Sequence, residues 1–496
     1  MAAILNLFGG SSNKTPPPPV QSDDIYPLHL LDDTKTYRGI VVAWTLRFND
    51  VLDPEKLHGS LSRLLEIGDW RKLGGRVRLN DKGKLELHVP TPFTADRPAV
   101  FYTHQHHSLN IEDHPLAKDF PKPTTNPSVH PSPDTFRAFA AREDAPSTVE
   151  DLLYKDTPQL SLHITSFNNA TLVGLSWPHT LMDVMGQYGL MLGWSLVLAG
   201  KESEVPPMLG AREDVLAAAI EASSEKEGEE YRLQSKQMSV WTLIRFGLRM
   251  AWDGMFTSPS EPRTIFLPQK MVADLQNQAR ADLAEVKGGL EDVPFVSEGD
   301  VLTAWMMRLV ATSLPQPRPV TALHALNARF RIPSIAQSGG IYVQNMAVAA
   351  FTFLSPETAT GSMGSIALEN RNHLVEQSAE DQVLAGLRHT YKTGSNAVFM
   401  CGPPDAVLMP FTNWTRANVF KTVDFSPAVV QAGETGQSRS NAPGTIVFHQ
   451  AFSLEINRSA RNVIVILGKD QNGNYWINPI VSPQAWVKIE EALKAY

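Results

Sequence analysis

Residues 171–198 read TLVGLSWPHTLMDVMGQYGLMLGWSLVL. The first seven of them are mostly apolar or β-branched, which predicts a buried strand. After Leu181 the apolar residues recur at helical spacing, which predicts a helix that continues to Leu198. His179 therefore stands where a strand turns towards a helix. Side chains at such strand ends are held on a rigid scaffold, which suits a reactive group.

The spacing His-x-x-x-Asp occurs three times, so the spacing alone does not identify a site. The three pairs are His29/Asp33, His130/Asp134 and His179/Asp183. His130 lies between prolines, where we expect an exposed loop. His179 has the apolar neighbours Trp177 and Met182, which favour a neutral imidazole. A general base needs a neutral imidazole; the alternative is a buried histidine with a purely structural role.

Asp183 follows His179 by about one helical turn. A carboxylate buried there needs a cationic partner. Arg329 and Arg331, in the segment ALNARFRIP, are the candidates. We expect Asp183 to fix local geometry and not to transfer protons.

Elements on both sides of this stretch indicate a mixed α/β chain. An irregular, proline-rich passage is expected at 90–146 and a strand-to-strand hairpin at 161–177. Residues 238–256 (MSVWTLIRFGLRMAWDGMF) predict an amphipathic helix whose charged face carries Arg245, Arg249 and Asp253. We expect this helix to pack on the core, with weak membrane association as the alternative.

Composition excludes several classes of protein. The chain has 496 residues, 43% of them apolar and 19% charged, which fits a globular protein of two or three domains. The net charge of −8 gives no reason to expect a nucleic acid partner. The single cysteine, Cys401, excludes a disulfide framework and suits a reducing compartment. Residues 104–107 (HQHH) predict a polar strand or loop and not a metal site.

The segment from His179 to Asp183, followed by Gly186 and a helix, resembles the BAHD acyltransferases, especially their fungal, trichothecene-acetyltransferase-like branch. Further similarity extends over nearly the whole chain. It is carried by the segments PLHLLDD, LHGSLSRLL, KLGGRVRLNDKGKLELHVP, VSEGDVLTAWMMRLV, ALNARFRIP, GGIYVQNMAV and Thr412-Asn413-Trp414.

The resemblance implies an α/β (α+β) fold of two chloramphenicol-acetyltransferase-like domains with mixed sheets and an interdomain channel. We expect a flexible N-terminal lead at 1–24, a first domain at 25–200, a charged crossover linker at 201–237 and a second domain at 238–496. We also expect a cytoplasmic monomer without a signal peptide or a transmembrane segment.

The resemblance also implies roles for individual residues. His179 is expected to be the general base, and Thr412 is expected to stabilise the oxyanion. Asp183, Arg329 and Asp424 are expected to be structural at the active site. Substrate contacts are expected from Trp177, Met182, Asn413 and Trp414. No metal and no tightly bound cofactor are expected, because acyl-CoA enters as a co-substrate.

One element departs from the family pattern. Asp-Phe-Gly-Trp-Gly is replaced by Asp424-Phe425-Ser426-Pro427-Ala428, and proline restricts a backbone that glycine leaves free. The expected function is CoA-dependent O-acyl transfer to a specialised metabolite, with an amine as the alternative acceptor. The altered element leaves open a carrier-protein-bound acyl donor, a cyclisation or condensation on the same scaffold, and a small-molecule binding protein on a decayed scaffold.

Overall fold

The computed structural model describes residues 15–223, 230–287, 293–433, 441–455, 457 and 459–496. Two features discussed above lie outside these ranges. They are residues 1–14 of the predicted lead and the charged residues 225–229 of the predicted linker.

Twenty strands are present in the described part of the chain. They are β1 (Asp24–Pro27), β2 (Val41–Phe48), β3 (Val51–Leu52), β4 (Arg76–Leu79), β5 (Leu85–Val89), β6 (Phe101–His106), β7 (Ser128–His130), β8 (Ser161–Ser166), β9 (Thr171–Pro178), β10 (Met208–Leu209), β11 (Glu261–Pro262), β12 (Thr264–Leu267), β13 (Val320–Asn327), β14 (Ile341–Tyr342), β15 (Ala347–Leu354), β16 (Val407–Asn413), β17 (Val429–Gln431), β18 (Phe448–Ser453), β19 (Val463–Lys469) and β20 (Tyr475–Val481).

Fifteen α-helices accompany these strands in the same ranges. They are α1 (Lys35–Arg38), α2 (Pro54–Leu64), α3 (Arg137–Ala140), α4 (Val149–Leu153), α5 (Val184–Leu198), α6 (Val215–Ala222), α7 (Val240–Phe256), α8 (Gln269–Lys287), α9 (Glu298–Thr312), α10 (Pro333–Ala336), α11 (Pro356–Thr360), α12 (Met363–Gln377), α13 (Glu380–Thr393), α14 (Val419–Thr422) and α15 (Pro483–Lys494).

The first large sheet has five strands in the order β18-β2-β9-β8-β6. Only the β6–β8 pair is parallel, so the sheet is mixed. All eight residues of β9 are buried, because the strand lies inside the sheet and both of its faces are covered. The helix that follows, α5, is apolar almost all round and is buried accordingly. Strand β9 and helix α5 therefore form the centre of the first core.

The second large sheet has eight strands. Its main order is β15-β13-β16-β19-β20-β12-β7, and β11 pairs with β20. The β13–β16 and β16–β19 pairs are parallel, and the others are antiparallel. A separate cluster of buried apolar residues packs on this sheet, with α8, α9, α12 and α15 supplying much of it. The molecule therefore has two main hydrophobic cores.

The two large sheets exchange strands. Strand β18, from late in the chain, pairs antiparallel with β2, and β7, from early in the chain, pairs antiparallel with β12. The short pairs β10–β14 and β17–β3 also join early and late segments. Each half of the chain therefore completes a sheet that belongs mainly to the other half.

The expectation of an irregular passage at 90–146 is wrong in part. It contains β6, at the edge of the five-stranded sheet, and β7, at the edge of the eight-stranded sheet. His130 is therefore half-buried in a strand and not in an exposed loop. Its ring lies 2.9 Å from Ser128 Oγ, and burial lowers its pKa to about 4. Strand β6 agrees with the polar strand or loop predicted at 104–107, whereas β7 was missed because its partner β12 is distant in sequence.

Helix α7 forms where the amphipathic pattern predicted it, but the expectation that it packs on the core is wrong. Phe246 is its one buried side chain. Trp241 is 77% exposed and Leu248 is 63% exposed, so the apolar stripe of the helix faces solvent.

Candidate active site

His179 follows β9 directly and is held by its main chain and by its ring. Its backbone N–H donates to the carbonyl of Ile40 at 2.8 Å. The ring of Tyr37 stacks on the imidazole, with 4.2 Å between centroids and 7° between planes. Tyr37 lies on α1, which is capped by the Thr34 hydroxyl. Residues 34–40 therefore build one wall around the histidine.

The imidazole of His179 is suited to act as a base. Burial lowers its pKa, and this is opposed by its own backbone carbonyl and by Asp183, Asn345 and Asp32. Its Nδ1 is buried and makes no hydrogen bond within the described ranges. Nε2 keeps accessible surface and likewise has no partner there. The ring is therefore neutral at neutral pH, and one nitrogen is open to a ligand.

Asp183 makes two kinds of contact, one through each carboxylate oxygen. Its Oδ1 caps α5 by accepting from the backbone N–H groups of Met185 at 3.0 Å and Gly186 at 3.2 Å. Its Oδ2 accepts from Arg329 Nη1 at 2.7 Å and from the Met346 N–H at 3.0 Å. Of the two candidate arginines, Arg329 makes the contact. Asp183 thus fastens α5 to the second half of the chain.

The segment of residues 342–346, which we call the docking segment, brings the second half against this site. Arg329 donates to its carbonyls at Tyr342, at 3.1 Å, and at Gln344. A Cβ on Gly186 would lie 2.5 Å from the carbonyl oxygen of Val343. The glycine that follows the His-x-x-x-Asp motif is therefore required by the close approach of the docking segment to α5.

Asp32 and Asn345 connect the docking segment to His179, and sequence reasoning missed both. Asp32 accepts from the Asn345 backbone N–H at 2.8 Å and from its Nδ2 at 2.9 Å. The same Nδ2 donates to the carbonyl of His179 at 3.0 Å. Both residues lie inside motifs already quoted, PLHLLDD and GGIYVQNMAV. No periodicity distinguishes them, and the contact joins residues 313 positions apart.

The Asp32 carboxylate is buried together with a lysine. Burial raises the pKa of Asp32, while Lys72 and the hydrogen bonds from Asn345 lower it. Burial lowers the pKa of Lys72 to about 8, against the attraction of Asp32. Lys72 Nζ donates to the carbonyl of Ala211 at 3.0 Å. The network behind His179 therefore contains two mutually dependent charges.

Thr412 lies near the end of β16 in the second half of the chain. Its Oγ1 accepts from Trp414 Nε1 at 3.1 Å. Since a hydroxyl has one proton to donate, this arrangement leaves the Thr412 proton free for another acceptor.

A row of aromatic rings runs from Trp414 across the molecule. The ring of Trp414 stacks on that of His449, with 6.4 Å between centroids, and His449 Nδ1 accepts from Trp44 Nε1 at 3.1 Å. Trp44 in turn touches Trp177 edge-on, so an aromatic row joins the strand of Thr412 to the strand of His179.

The predicted substrate contacts divide into buried and accessible residues. Trp177 and Met182 are 0% and 1% exposed, so a substrate could touch them only if the core opened. Trp414 is half-buried and Asn413 is exposed. The Asn413 side chain accepts from the Thr415 N–H at 3.0 Å.

Asp424 lies at the far end of α5 from the histidine. Its backbone N–H donates to Ser195 Oγ at 3.1 Å. Ser195 is twelve residues beyond Asp183, a distance of about 18 Å along the helix. The Asp424 carboxylate accepts from the Ser426 N–H at 3.0 Å. The altered element therefore supports the helix that carries Asp183 but does not reach His179.

Solved structures of other proteins share this fold, among them TRI101 and vinorine synthase. TRI101 from F. graminearum, complexed with coenzyme A and T-2 mycotoxin, aligns with a TM-score of 0.66 at 14% identity and covers 95% of this chain and 99% of its own. Vinorine synthase aligns with a TM-score of 0.56 at 13% identity, covering 97% and 95%. The predicted α+β fold of two chloramphenicol-acetyltransferase-like domains with mixed sheets is therefore confirmed.

Relatives at higher identity decide the family. O-acetyltransferase PaAT-2 of Phomopsis amygdali is 38% identical over 491 residues, which cover 96% of this chain and 98% of PaAT-2. Acetyltransferase BOT5 of Botryotinia fuckeliana is 35% identical over 501 residues, covering 96% and 92%. The chain belongs to the BAHD acyltransferase family, in its fungal, trichothecene-acetyltransferase-like branch.

Membership of the BAHD family makes the chain an acyltransferase, as its sequence predicted. Other relatives are named transcriptional regulators. They include calD of Penicillium decumbens, 34% identical over 501 residues and covering 98% and 99%, and sdnM of Sordaria araneosa, 30% identical over 506 residues and covering 98% and 99%. No family model matches the chain.

Among the residues that the structure describes, no second reactive centre is found in this BAHD protein. The thiol of Cys401 is buried, and burial raises its pKa to about 12, so it is protonated and unreactive at neutral pH. No cluster of three or more metal-ligating side chains occurs in the ranges that the structure describes.

Proposed function

We propose that the protein transfers an acyl group, acetyl first among the candidates, from acyl-CoA to a hydroxyl group of a specialised metabolite. The observation that carries the proposal is the state of His179. Its ring is neutral, is held by Tyr37 and presents an accessible Nε2. The relatives named acetyltransferases favour acetyl-CoA as the donor, and an amine acceptor would use the same base.

The reaction needs one base and no covalent enzyme intermediate. Nε2 of His179 takes the proton of the acceptor hydroxyl as the oxygen attacks the thioester carbonyl carbon. The new carbon–oxygen bond places negative charge on the former carbonyl oxygen. When that intermediate collapses, the carbon–sulfur bond breaks, and the CoA thiolate leaves and takes the proton from the imidazolium. The products are the ester and free CoA, and His179 is neutral again.

Thr412 is the proposed donor to the developing oxyanion. Trp414 Nε1 donates to the Thr412 oxygen, which supports the assignment because the hydroxyl proton must then point to another acceptor. A fixed donor aimed at new negative charge lowers the barrier. Asn413 and Trp414, the accessible pair, are the proposed substrate contacts. Asp183, Arg329, Asp32 and Asn345 are positioning residues.

Substrate classes follow from the relatives. The TRI101 structure contains coenzyme A together with T-2 mycotoxin. We propose by analogy that acyl-CoA and a hydroxylated metabolite meet at His179 in a channel between the two domains. Asp424 and its neighbours act at the opposite end of α5, so the altered element gives no ground for preferring a carrier-protein-bound donor.

The domain arrangement belongs to the same proposal. Two main hydrophobic cores support two domains, the first built mainly from 25–200 and the second mainly from 238–496, with 201–237 as the crossover. Segments such as β18 and β7 cross over to complete the other domain's sheet. We further propose that the enzyme acts as a monomer in the cytoplasm, which fits its single, protonated cysteine. The described helices include none long and apolar enough to cross a bilayer.

The test is an assay for free CoA. The purified protein is incubated with acetyl-CoA, malonyl-CoA or a longer acyl-CoA and a panel of hydroxylated acceptors, and the released thiol and the ester are both measured. We expect acceptor-dependent CoA release, and we expect His179→Ala to lose at least about a hundredfold in rate. His130→Ala is the matched control, because His130 has the same spacing to an aspartate, and it should keep the wild-type rate.

Three outcomes would contradict the proposal. An unchanged rate in a folded His179→Ala variant would exclude the histidine as the base. Conversion of a single substrate without CoA release would indicate a cyclisation or condensation on this scaffold. Binding of a metabolite without turnover of any donor would instead place the chain with regulators such as calD.

A further inference from the structure

Helix α7 presents an apolar face to solvent. Eight of the seventeen exposed large apolar side chains in the described residues lie on this one helix. Trp241, Ile244, Leu248, Trp252 and Met255 recur at spacings of three or four, so they share one face. Four of these five are more than half exposed. A contiguous apolar surface of this kind marks an interaction site. We call it the α7 stripe.

Polar contacts hold the helix in place and leave the stripe free. Ser239 caps its first turn. Asp253 accepts from Arg318 at 2.9 Å and pairs with Arg249 at 3.1 Å. Beyond the last turn, Arg461 donates to Thr257 Oγ1 at 2.8 Å. These polar contacts and the buried Phe246 hold α7 in place without burying the residues of the stripe.

Positive charge borders the stripe on one side. Arg245 and Arg249 are one helical turn apart and lie beside the stripe. Arg245 forms no ion pair with any described residue. Both arginines line a cleft of about 410 Å³. The cleft is completed by Leu248, Trp252, Pro404 and Asp405. An apolar surface edged by guanidinium groups complements a layer of phosphate headgroups above acyl chains.

We propose that α7 is a monotopic membrane-binding helix, whose stripe enters the headgroup region of a bilayer that contains anionic phospholipid. Trp241 near the start and Trp252 near the end lie on the inserted face, where indole rings favour the boundary between water and hydrocarbon. The helix has 17 residues, and no described helix is long and apolar enough to cross a bilayer, so it lies on the surface.

A lipid surface fits the stripe better than a second copy of the chain. Asp253 is the one acidic residue of α7, and it is already paired with Arg249 and Arg318. A second α7 would therefore bring no free carboxylate to Arg245. In an antiparallel pair related by a two-fold axis, the arginine edges would face each other. Anionic phosphates supply the missing partner.

The test is sedimentation of the full-length protein with vesicles. One set contains phosphatidylcholine alone, and the other contains phosphatidylcholine and phosphatidylserine in a three-to-one ratio. We expect binding to the anionic vesicles, weaker binding to the neutral ones, and weakening by added salt. Trp241→Gln with Trp252→Gln should lower partitioning into anionic vesicles by about tenfold or more, and Arg245→Gln by a smaller factor.

Val487→Gln is the matched control. Val487 is an exposed apolar residue on another helix, α15, and its replacement should leave vesicle binding unchanged. Failure of the wild-type chain to bind either vesicle overturns the proposal, as does a double tryptophan variant that binds like the wild type. A shift from dimer to monomer in that variant, without vesicle binding by the wild type, would assign the stripe to a second copy. Neither donor nor acceptor is present, so the result is independent of the acyl-transfer chemistry.

Discussion

The second half of the chain contacts the two ends of α5 in different ways. At the first turn, the docking segment and Arg329 meet buried carboxylates, with Asp183 accepting from Arg329 at 2.7 Å. At the last turn, the altered element contributes an aromatic ring and main-chain groups. Phe425 lies 4.6 Å from Trp194 and 5.3 Å from Phe48 between ring centroids.

The difference explains which amino-acid replacements each end of α5 tolerates. A charge-assisted contact needs particular atoms at particular places. A packed ring and a main-chain hydrogen bond make fewer demands on the neighbouring side chains. At the second end, the Phe425 N–H donates to the Gly444 carbonyl and Pro427 accepts from Lys56 through its carbonyl. Ser426 and Pro427 can therefore stand where the family has glycine and tryptophan.

Of the two matched substitutions at the ends of α5, Asp183→Asn should lower the free energy of unfolding more than Asp424→Asn. An asparagine keeps an oxygen to cap α5, but its NH₂ group faces the donors Arg329 and Met346. Because a buried arginine loses its counter-charge, we expect the free energy of unfolding to fall by about 3–5 kcal/mol. Urea denaturation of the purified variant measures this loss.

Asp424→Asn is the matched control at the other end. Asp424 is exposed and accepts from its own loop, so a change within about 0.5 kcal/mol is expected. Equal losses in the two variants would show that both ends depend on charge and would remove the contrast.

Phe425→Ala should destabilise the fold without impairing the chemistry. Phe425 is 0% exposed, and loss of a buried phenylalanine costs about 3 kcal/mol or more. We expect kcat for the folded fraction to stay within about twofold of wild type, because the ring does not reach His179. Phe425→Leu, which keeps most of the apolar volume, should cost less than about 1.5 kcal/mol. A large fall in kcat in either variant would mean that the far end of α5 takes part in catalysis.

Asn345→Ala should destabilise the fold less than Asp183→Asn or Phe425→Ala, but it should have a selective effect on rate. The substitution removes the donor to the His179 carbonyl and leaves that acceptor unpaired. We expect the free energy of unfolding to fall by about 1–3 kcal/mol. We expect kcat to fall about tenfold with little change in KM, since the base loses its orientation. The Asn345 side chain also raises the pKa of His179. Its loss should therefore move the acid limb of the rate profile to lower pH, an effect that a merely structural role would not produce.

Local patterns predicted the elements around His179 because those elements are specified locally. Strand β9 is a continuous apolar run, and Asp183 followed by an apolar helix is a cap at its usual place. The contact between Asp183 and Arg329 could also be predicted from the sequence. A buried carboxylate needs a cation, and the segment ALNARFRIP offered only two arginines.

The rest depends on contacts between distant segments. Asp32 and Asn345 look like ordinary polar residues until the two halves of the chain meet. Strand β7 has three residues and is fixed by its pairing with β12, more than a hundred positions later. The outward face of α7 could not be predicted either, since an amphipathic pattern does not state which side of the helix meets the core. The family resemblance supplied the roles of Thr412 and Trp414, which no spacing had indicated.

The central claim is that a partly buried, neutral His179 is the base, and the pH dependence of kcat/KM for the wild-type enzyme tests it most directly. Because burial lowers the pKa of His179 below its usual value near 6.5, the imidazole is already neutral at physiological pH. We predict a rate that is level from roughly pH 7 to 8 and falls only below about pH 6.5, as the ring takes up a proton. A rate that keeps rising through roughly pH 8, with an apparent pKa above 7, would contradict the account.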